Sequence, residues 1–319
     1  MTAPPRPATG EATGTLLAAG EWRLRTDDGA TLALSVLDPL PGSPRATPGA
    51  EPPTVVLVHG WAAGRRVWGV VADRLIRSGH RVVSYDQRGH GASDTGDDGA
   101  PGITVDRLAA DLAQVVTATA TPGAILAGHS GGGFAALRLA SGTDHTPARQ
   151  RLGGLVLLAT AAHDQDTPDS EVRMMGSAHF SRALRRPRLG RTLLRQTVGA
   201  DADTPLRETN RQLFAATDPA VRAACFRSSR GMDLRAALER VTLPARVLAG
   251  DADRVIAPAL GRVLAQSLPD AEWDQLPGAG HMLPLERPLP VVRAVTELAA
   301  GRRSAPAAGG GPRAGRAPS

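Results

Sequence analysis

The chain has 319 residues, 42% of them hydrophobic, enough to bury one large α/β core or a core with an insertion. Its formal charge of +6 comes from arginine alone among the basic residues, and it is concentrated in two places: residues 301–319 carry +4, and residues 162–240 carry fourteen arginines against ten acids. The remainder is at −2 and only 3% of residues are aromatic, which excludes a basic nucleic-acid stripe or a base-stacking platform.

In chain order, Met1-Thr2-Ala3-Pro4-Pro5-Arg6 carries no apolar segment of a secretory leader, and no apolar run approaches the roughly eighteen residues of a membrane span. A soluble, cytoplasmic protein without a membrane partner is expected. Residues 1–20 are Ala/Pro/Thr/Gly-rich and read as a disordered tail. Glu21 to Thr26 and Thr31 to Leu37 flank Asp27-Asp28-Gly29-Ala30, the pattern of a hairpin, and a Pro-rich loop follows from Pro39 to Pro53. Apolar strand-like runs then appear at Thr54 to Val58, Arg81 to Tyr85, Ala124 to Ala127, Leu155 to Ala159 and Arg246 to Ala249, with Glu272 to Leu276 weaker. Helix-period segments alternate with them at Arg66 to Arg77, Val105 to Thr117, Gly132 to Ala140, Ala257 to Leu268 and Leu289 to Ala299. That alternation predicts an α/β fold, a mostly parallel sheet covered on both faces. Residues 162–240 break it: they contain no convincing strand but several amphipathic patterns, at Ser181 to Leu194, Thr204 to Ala216 and Pro219 to Arg227, so an inserted helical cap is expected between core segments 21–161 and 241–302. Residues 303–319 read as a second disordered tail. Cys225, the only cysteine, excludes an intrachain disulfide and reads as a small buried apolar residue.

Four motifs carry the chemistry. Gly128-His129-Ser130-Gly131-Gly132 directly follows the strand-like run Ala124 to Ala127 and has the G-x-S-x-G form of a nucleophile elbow, in which a serine stands on a turn too tight for side chains beside it. Val55-Val56-Leu57-Val58-His59-Gly60-Trp61, Asp86-Gln87-Arg88-Gly89-His90-Gly91-Ala92-Ser93, and the pair Gly250-Asp251-Ala252-Asp253 with Gly278-Ala279-Gly280-His281 complete the set. In these motifs and their order, the stretch from Glu21 to Arg302 resembles the α/β-hydrolase superfamily, in its serine esterase and lipase-like branch with a helical cap. The resemblance implies a triad of Ser130, Asp253 and His281, with Asp253 preferred over Asp251 because it fits the G-x-x-D position. It also implies an oxyanion hole from the backbone N–H groups of Trp61 and Gly131. The 86–93 loop is structural by the same resemblance, and His129 shapes the turn.

A serine hydroxyl is too weak an acid to attack unaided, so His281 would take its proton while Asp253 fixes the imidazole tautomer. The expected reaction is hydrolysis of a carboxylic ester of a small or medium apolar substrate through a Ser130 acyl-enzyme. Trp61, Phe134, Met174, Met175, Phe180, Phe214 and Phe226 are the candidate substrate-binding residues. No metal-ligand spacing such as H-E-x-x-H occurs, so neither metal nor organic cofactor is expected. A second reading keeps the triad in a thioesterase, lactonase or acyltransferase, with Arg182, Arg185, Arg186 and Arg188 meeting a phosphopantetheine phosphate. A third, a non-catalytic binding protein on the same fold, gives no chemical reason for retaining Ser130, Asp253 and His281 together.

Overall fold

The computed structural model describes residues 13–18, 20–44 and 53–301. Among the described residues nine strands form one sheet: β1 (Thr13–Ala18), β2 (Glu21–Arg25), β3 (Thr31–Leu37), β4 (Val55–Val58), β5 (Val82–Tyr85), β6 (Ala124–His129), β7 (Leu152–Leu158), β8 (Ala245–Gly250) and β9 (Ala271–Leu276). Their order is β1-β2-β3-β5-β4-β6-β7-β8-β9. The pairs β1/β2, β2/β3 and β3/β5 are antiparallel, and every pairing beyond β5 is parallel.

The continuous apolar runs become strands buried on both faces, because successive side chains point to opposite sides of the sheet. Along β4, Val55 and Leu57 enter one cluster with Val71 and Leu75 of α1 (Gly69–Arg77) and Val291 and Val295 of α12 (Pro288–Ala299). Val56 and Val58 enter the other, with Leu108 and Leu112 of α2 (Val105–Thr119), Leu137 of α3 (Gly131–Ser141) and Leu264 of α10 (Pro258–Ser267). Each such fully buried aliphatic side chain contributes about 1.5–3 kcal/mol of transfer free energy. At the sheet edge, β9 reads Glu-Trp-Asp-Gln in its centre and is only half-buried, which is why its apolar signal is weak.

One expected tail is partly ordered. The first twenty residues are not wholly a tail: Thr13–Ala18 pair with β2, where backbone hydrogen bonding gives a Thr/Gly/Leu segment a role that composition does not reveal. Residues 1–12 of that tail, the second tail at 303–319 and most of the Pro39 to Pro53 loop (residues 45–52) lie outside the described residues.

The short helix α4 (Thr146–Arg149) precedes β7, and between β7 and β8 the chain is helical: α5 (Asp169–Met175), α6 (Ala178–Leu184), α7 (Pro187–Leu193), α8 (Thr204–Ala216) and α9 (Pro219–Ser228). The Ser181 to Leu194 pattern is split at Arg186-Pro187, because the residue before proline is pushed out of the helical region, and Arg186 is extended at φ −85°, ψ 112°. The insertion has its own small core of Met175, Leu184, Leu194 and Phe214 with Ala62 of the main body. Arg222 organises it while fully buried. Its guanidinium donates to the carbonyls of Met175 (3.2 Å), Phe214 (3.3 Å) and Thr217 (2.6 Å) and to the Ser181 hydroxyl, and lies 5.8 Å from the ring centres of Phe180 and Phe214. Among the described residues no helix is long and apolar enough to cross a membrane.

Candidate active site

The parallel order places the ends of β4 and β6 side by side. Val58 of β4 is in register with Gly128 of β6, so the turn His59-Gly60-Trp61 runs beside His129-Ser130. A methyl group on Gly60 would stand 2.9 Å from Ser130 Cβ. At the end of β6 the chain reverses into α3 through Ser130 at φ 52°, ψ −121°, a conformation that costs a non-glycine residue of order 1–3 kcal/mol and that recurs at functional sites. The flanking glycines are required for space: a Cβ on Gly128 would lie 2.7 Å from the Gly132 carbonyl oxygen, and one on Gly132 would lie 2.4 Å from that of Val58. Ser130 is thereby held at the C-terminal end of its strand, where open α/β sheets place ligands.

The three residues predicted for catalysis converge. His281 Nε2 is 2.9 Å from Ser130 Oγ, and His281 Nδ1 is 2.9 Å from Asp253 Oδ2. A carboxylate only accepts, so Nδ1 carries the proton and Nε2 is free to receive one from the serine. All three side chains are buried. Burial alone would raise the Asp253 pKa, but His281 and the amides of Val255 (2.8 Å) and Ile256 (3.0 Å), which donate to Oδ1, overcome that and hold the carboxyl below its ordinary range. Asp251 is elsewhere: it is exposed and accepts the Gly278 amide at 2.7 Å.

The Trp61 and Gly131 amides donate to no acceptor among the described residues; Gly131 follows Ser130 in the chain, and Trp61 follows Gly60, which packs against Ser130. A cavity of about 350 Å³ opens over this point. All seven residues expected to contact substrate line it: Trp61, Phe134, Met174, Met175, Phe180, Phe214 and Phe226. Trp61 packs against Phe134 and Phe226 with ring centres 5.4 Å apart in each case. Polar groups that sequence reasoning missed interrupt this wall: Asn210, which donates to Thr197 Oγ1 at 2.7 Å, Glu171, whose carboxyl is pushed up by burial, and Arg254. They sit among ordinary helix and turn residues and leave no motif.

The 86–93 loop is built as a scaffold. Asp86 accepts the amides of Arg65 (2.7 Å) and Ala92 (3.0 Å), and fully buried Arg88 pairs with Asp111 (2.6 Å) and Asp28 (2.9 Å). His129 does more than shape its turn: its Nε2–H donates to the His281 carbonyl at 2.8 Å, while burial lowers its pKa to about 3 and keeps it neutral.

The sheet, its strand order and the serine at the strand-to-helix turn define an α/β-hydrolase. Residues 50–288 match the family model described as serine aminopeptidase S33, and the chain belongs to that family within the superfamily. It is 32% identical over 238 residues to the pimeloyl-[acyl-carrier protein] methyl ester esterase of Xanthomonas oryzae, covering 72% of this chain and 88% of the relative. A hydrolase from Pseudomonas aeruginosa superposes with a TM-score of 0.70 at 30% identity, covering 88% of this chain and 98% of the other. The enol-lactonase of Burkholderia xenovorans, at 23% identity, shares the fold with a TM-score of 0.70 over 84% of this chain and 96% of its own. The chain is thus an enzyme of the carboxylesterase-like kind.

Proposed function

We propose that the chain hydrolyses a carboxylic ester of a small or medium apolar compound through a covalent Ser130 acyl-enzyme. The observation that carries this is the unbroken Ser130–His281–Asp253 hydrogen-bond chain opening onto the aromatic and methionine-lined cavity. As Ser130 Oγ attacks the ester carbon, its proton passes to His281 Nε2 and the carbonyl oxygen becomes an oxyanion facing the Trp61 and Gly131 amides. Collapse expels the alkoxide, which takes the proton from Nε2. Water then repeats the sequence to release the acid and free serine. The helical insertion acts as the cap that supplies Met174, Met175, Phe180, Phe214 and Phe226 to the acyl or alcohol group. The test is a p-nitrophenyl ester series of increasing acyl length. Turnover should peak at short or medium chains, and Phe214→Ala should move the optimum to longer ones; an unmoved optimum contradicts the assignment of the cavity.

A second reading keeps the triad and has the acyl group presented on a carrier. Arg182, Arg185, Arg186 and Arg188 are exposed and form no ion pair among the described residues, and α7 also supplies Leu193 to the cavity wall. The Xanthomonas relative is named for an acyl-carrier protein ester. Arginine suits a phosphopantetheine phosphate. Equal kcat/KM for free and carrier-bound acyl thioesters would rule this reading out.

A further inference from the structure

Glu286, at the end of the short helix α11 (Leu283–Glu286), has no place in the proposed chemistry and does not line the cavity. Its carboxylate nonetheless receives three backbone amides. Oε2 accepts from Gly280 at 2.9 Å and from Gly199 at 2.7 Å, and Oε1 accepts from Met282 at 3.0 Å. Gly280 and Met282 are the two neighbours of His281 in sequence. Gly199 belongs to the insertion, two residues beyond the turn Arg195–Thr197. The amide between the clamped pair, that of His281 itself, donates to Thr197 O at 3.2 Å. Three consecutive N–H groups of the base-bearing loop are therefore held, two by one carboxylate and one by the insertion.

The contact is too close to be incidental. A Cβ on Gly280 would stand 2.4 Å from Gly199 N and 2.5 Å from Val198 C, so the two backbones touch and the carboxylate bridges them. No cation pairs with Glu286 among the described residues. Arg287, its neighbour, donates instead to the carbonyls of Glu286 and Pro277. Amide dipoles alone balance the charge, which makes each of these hydrogen bonds charge-assisted.

The geometry points to Glu286 as a positioning residue for His281, fixing the base opposite Ser130 and tying its loop to the insertion so that cavity wall and base keep one relative placement. This rests on the proposed role of His281. Glutamine is the informative replacement because it keeps the volume. Three donors converge on two oxygens, and glutamine offers one oxygen and an NH2, so at least one N–H must face another donor.

The experiment compares wild type, Glu286→Gln and Glu286→Ala by ester turnover, by the rate constant of fluorophosphonate labelling, by thermal unfolding and by hydrogen exchange at Gly280 and Met282. Labelling stoichiometry counts reactive sites, so kcat is expressed per competent molecule and partial misfolding drops out. Glu286→Gln should keep KM within about twofold and lose roughly 10- to 100-fold in both kcat and labelling rate, the scale of a catalytic group displaced by up to 1 Å. Amide exchange at the two clamped positions should accelerate, and Glu286→Ala should lose at least as much. Wild-type kcat per labelled site in Glu286→Gln overturns the inference and leaves the triad standing. Failure of wild type itself to label at Ser130 removes the triad and this inference with it.

Discussion

Two pairs of histidines are buried side by side among the described residues, and their hydrogen-bond partners differ. His59 and His90 lie with ring centres 5.1 Å apart, and His129 and His281 with theirs 5.0 Å apart. In the first pair every ring nitrogen is engaged by backbone: His59 donates to the Gly60 carbonyl (2.7 Å) and accepts the Gln87 amide (2.9 Å), and His90 donates to the Arg88 carbonyl (3.0 Å) and accepts the Ala62 amide (3.2 Å). Burial lowers their pKa values to about 4 and about 3, so both are neutral struts between turns. His281 alone has a carboxylate on one nitrogen and a hydroxyl on the other. Burial and aromatic company are common to all four rings, and the identity of its two partners is what marks His281 as the proposed base.

The comparison breaks most visibly at the serine. Ser130→Ala and His281→Ala should each lower kcat by about 10⁶-fold, with the double variant no worse, because the two act as one unit. Steady-state ester hydrolysis reads this, and additive losses contradict it. Asp253→Asn should cost about 10⁴-fold by permitting the wrong imidazole tautomer. His90→Gln sharpens the contrast from the other side. It should lower stability by about 1–3 kcal/mol through unsatisfied backbone groups, with far less than the triad's effect on kcat per labelled site. A loss of turnover comparable to that of His281→Ala would make His90 part of the chemistry.

A separate effect appears in acid. His59, His90 and His129 have folded pKa values lowered from 6.5 to about 4, 3 and 3. Between pH 6.5 and those values the unfolded chain binds protons that the folded one does not, so stability must fall as pH falls through this window. Asp253 acts in the same direction at lower pH: its depressed carboxyl contributes stability above the unfolded value that is lost as pH drops through the folded one. Thermal unfolding from pH 7 to 4 should show a falling Tm, and His90→Gln should flatten part of that slope.

Strands β4, β5, β6 and β8 were legible because a doubly buried strand is written as a mostly apolar run, interrupted here only by Ser84 in β5, Arg246 in β8 and His129 at the end of β6. The convergence of Ser130, Asp253 and His281 was legible because each sits on a turn beside glycines with no room for a side chain. The edge elements were not. In β1 the pairing is made by backbone, and at Arg186-Pro187 one proline outweighs a helical pattern that otherwise runs on. The roles of His129 and Glu286 were hidden for a different reason. His129 lies inside the elbow motif and Glu286 lies five residues beyond His281, yet what they hold is the main chain of residues 280–282, and the partner of a backbone amide has no spelling in sequence.

Intact-protein mass after fluorophosphonate treatment tests the central claim most directly. One adduct on wild type and none on Ser130→Ala, accompanied by ester turnover in wild type alone, is the result predicted for a serine activated by His281 and Asp253. An unmodified wild-type mass, or an adduct that persists in Ser130→Ala, would contradict it.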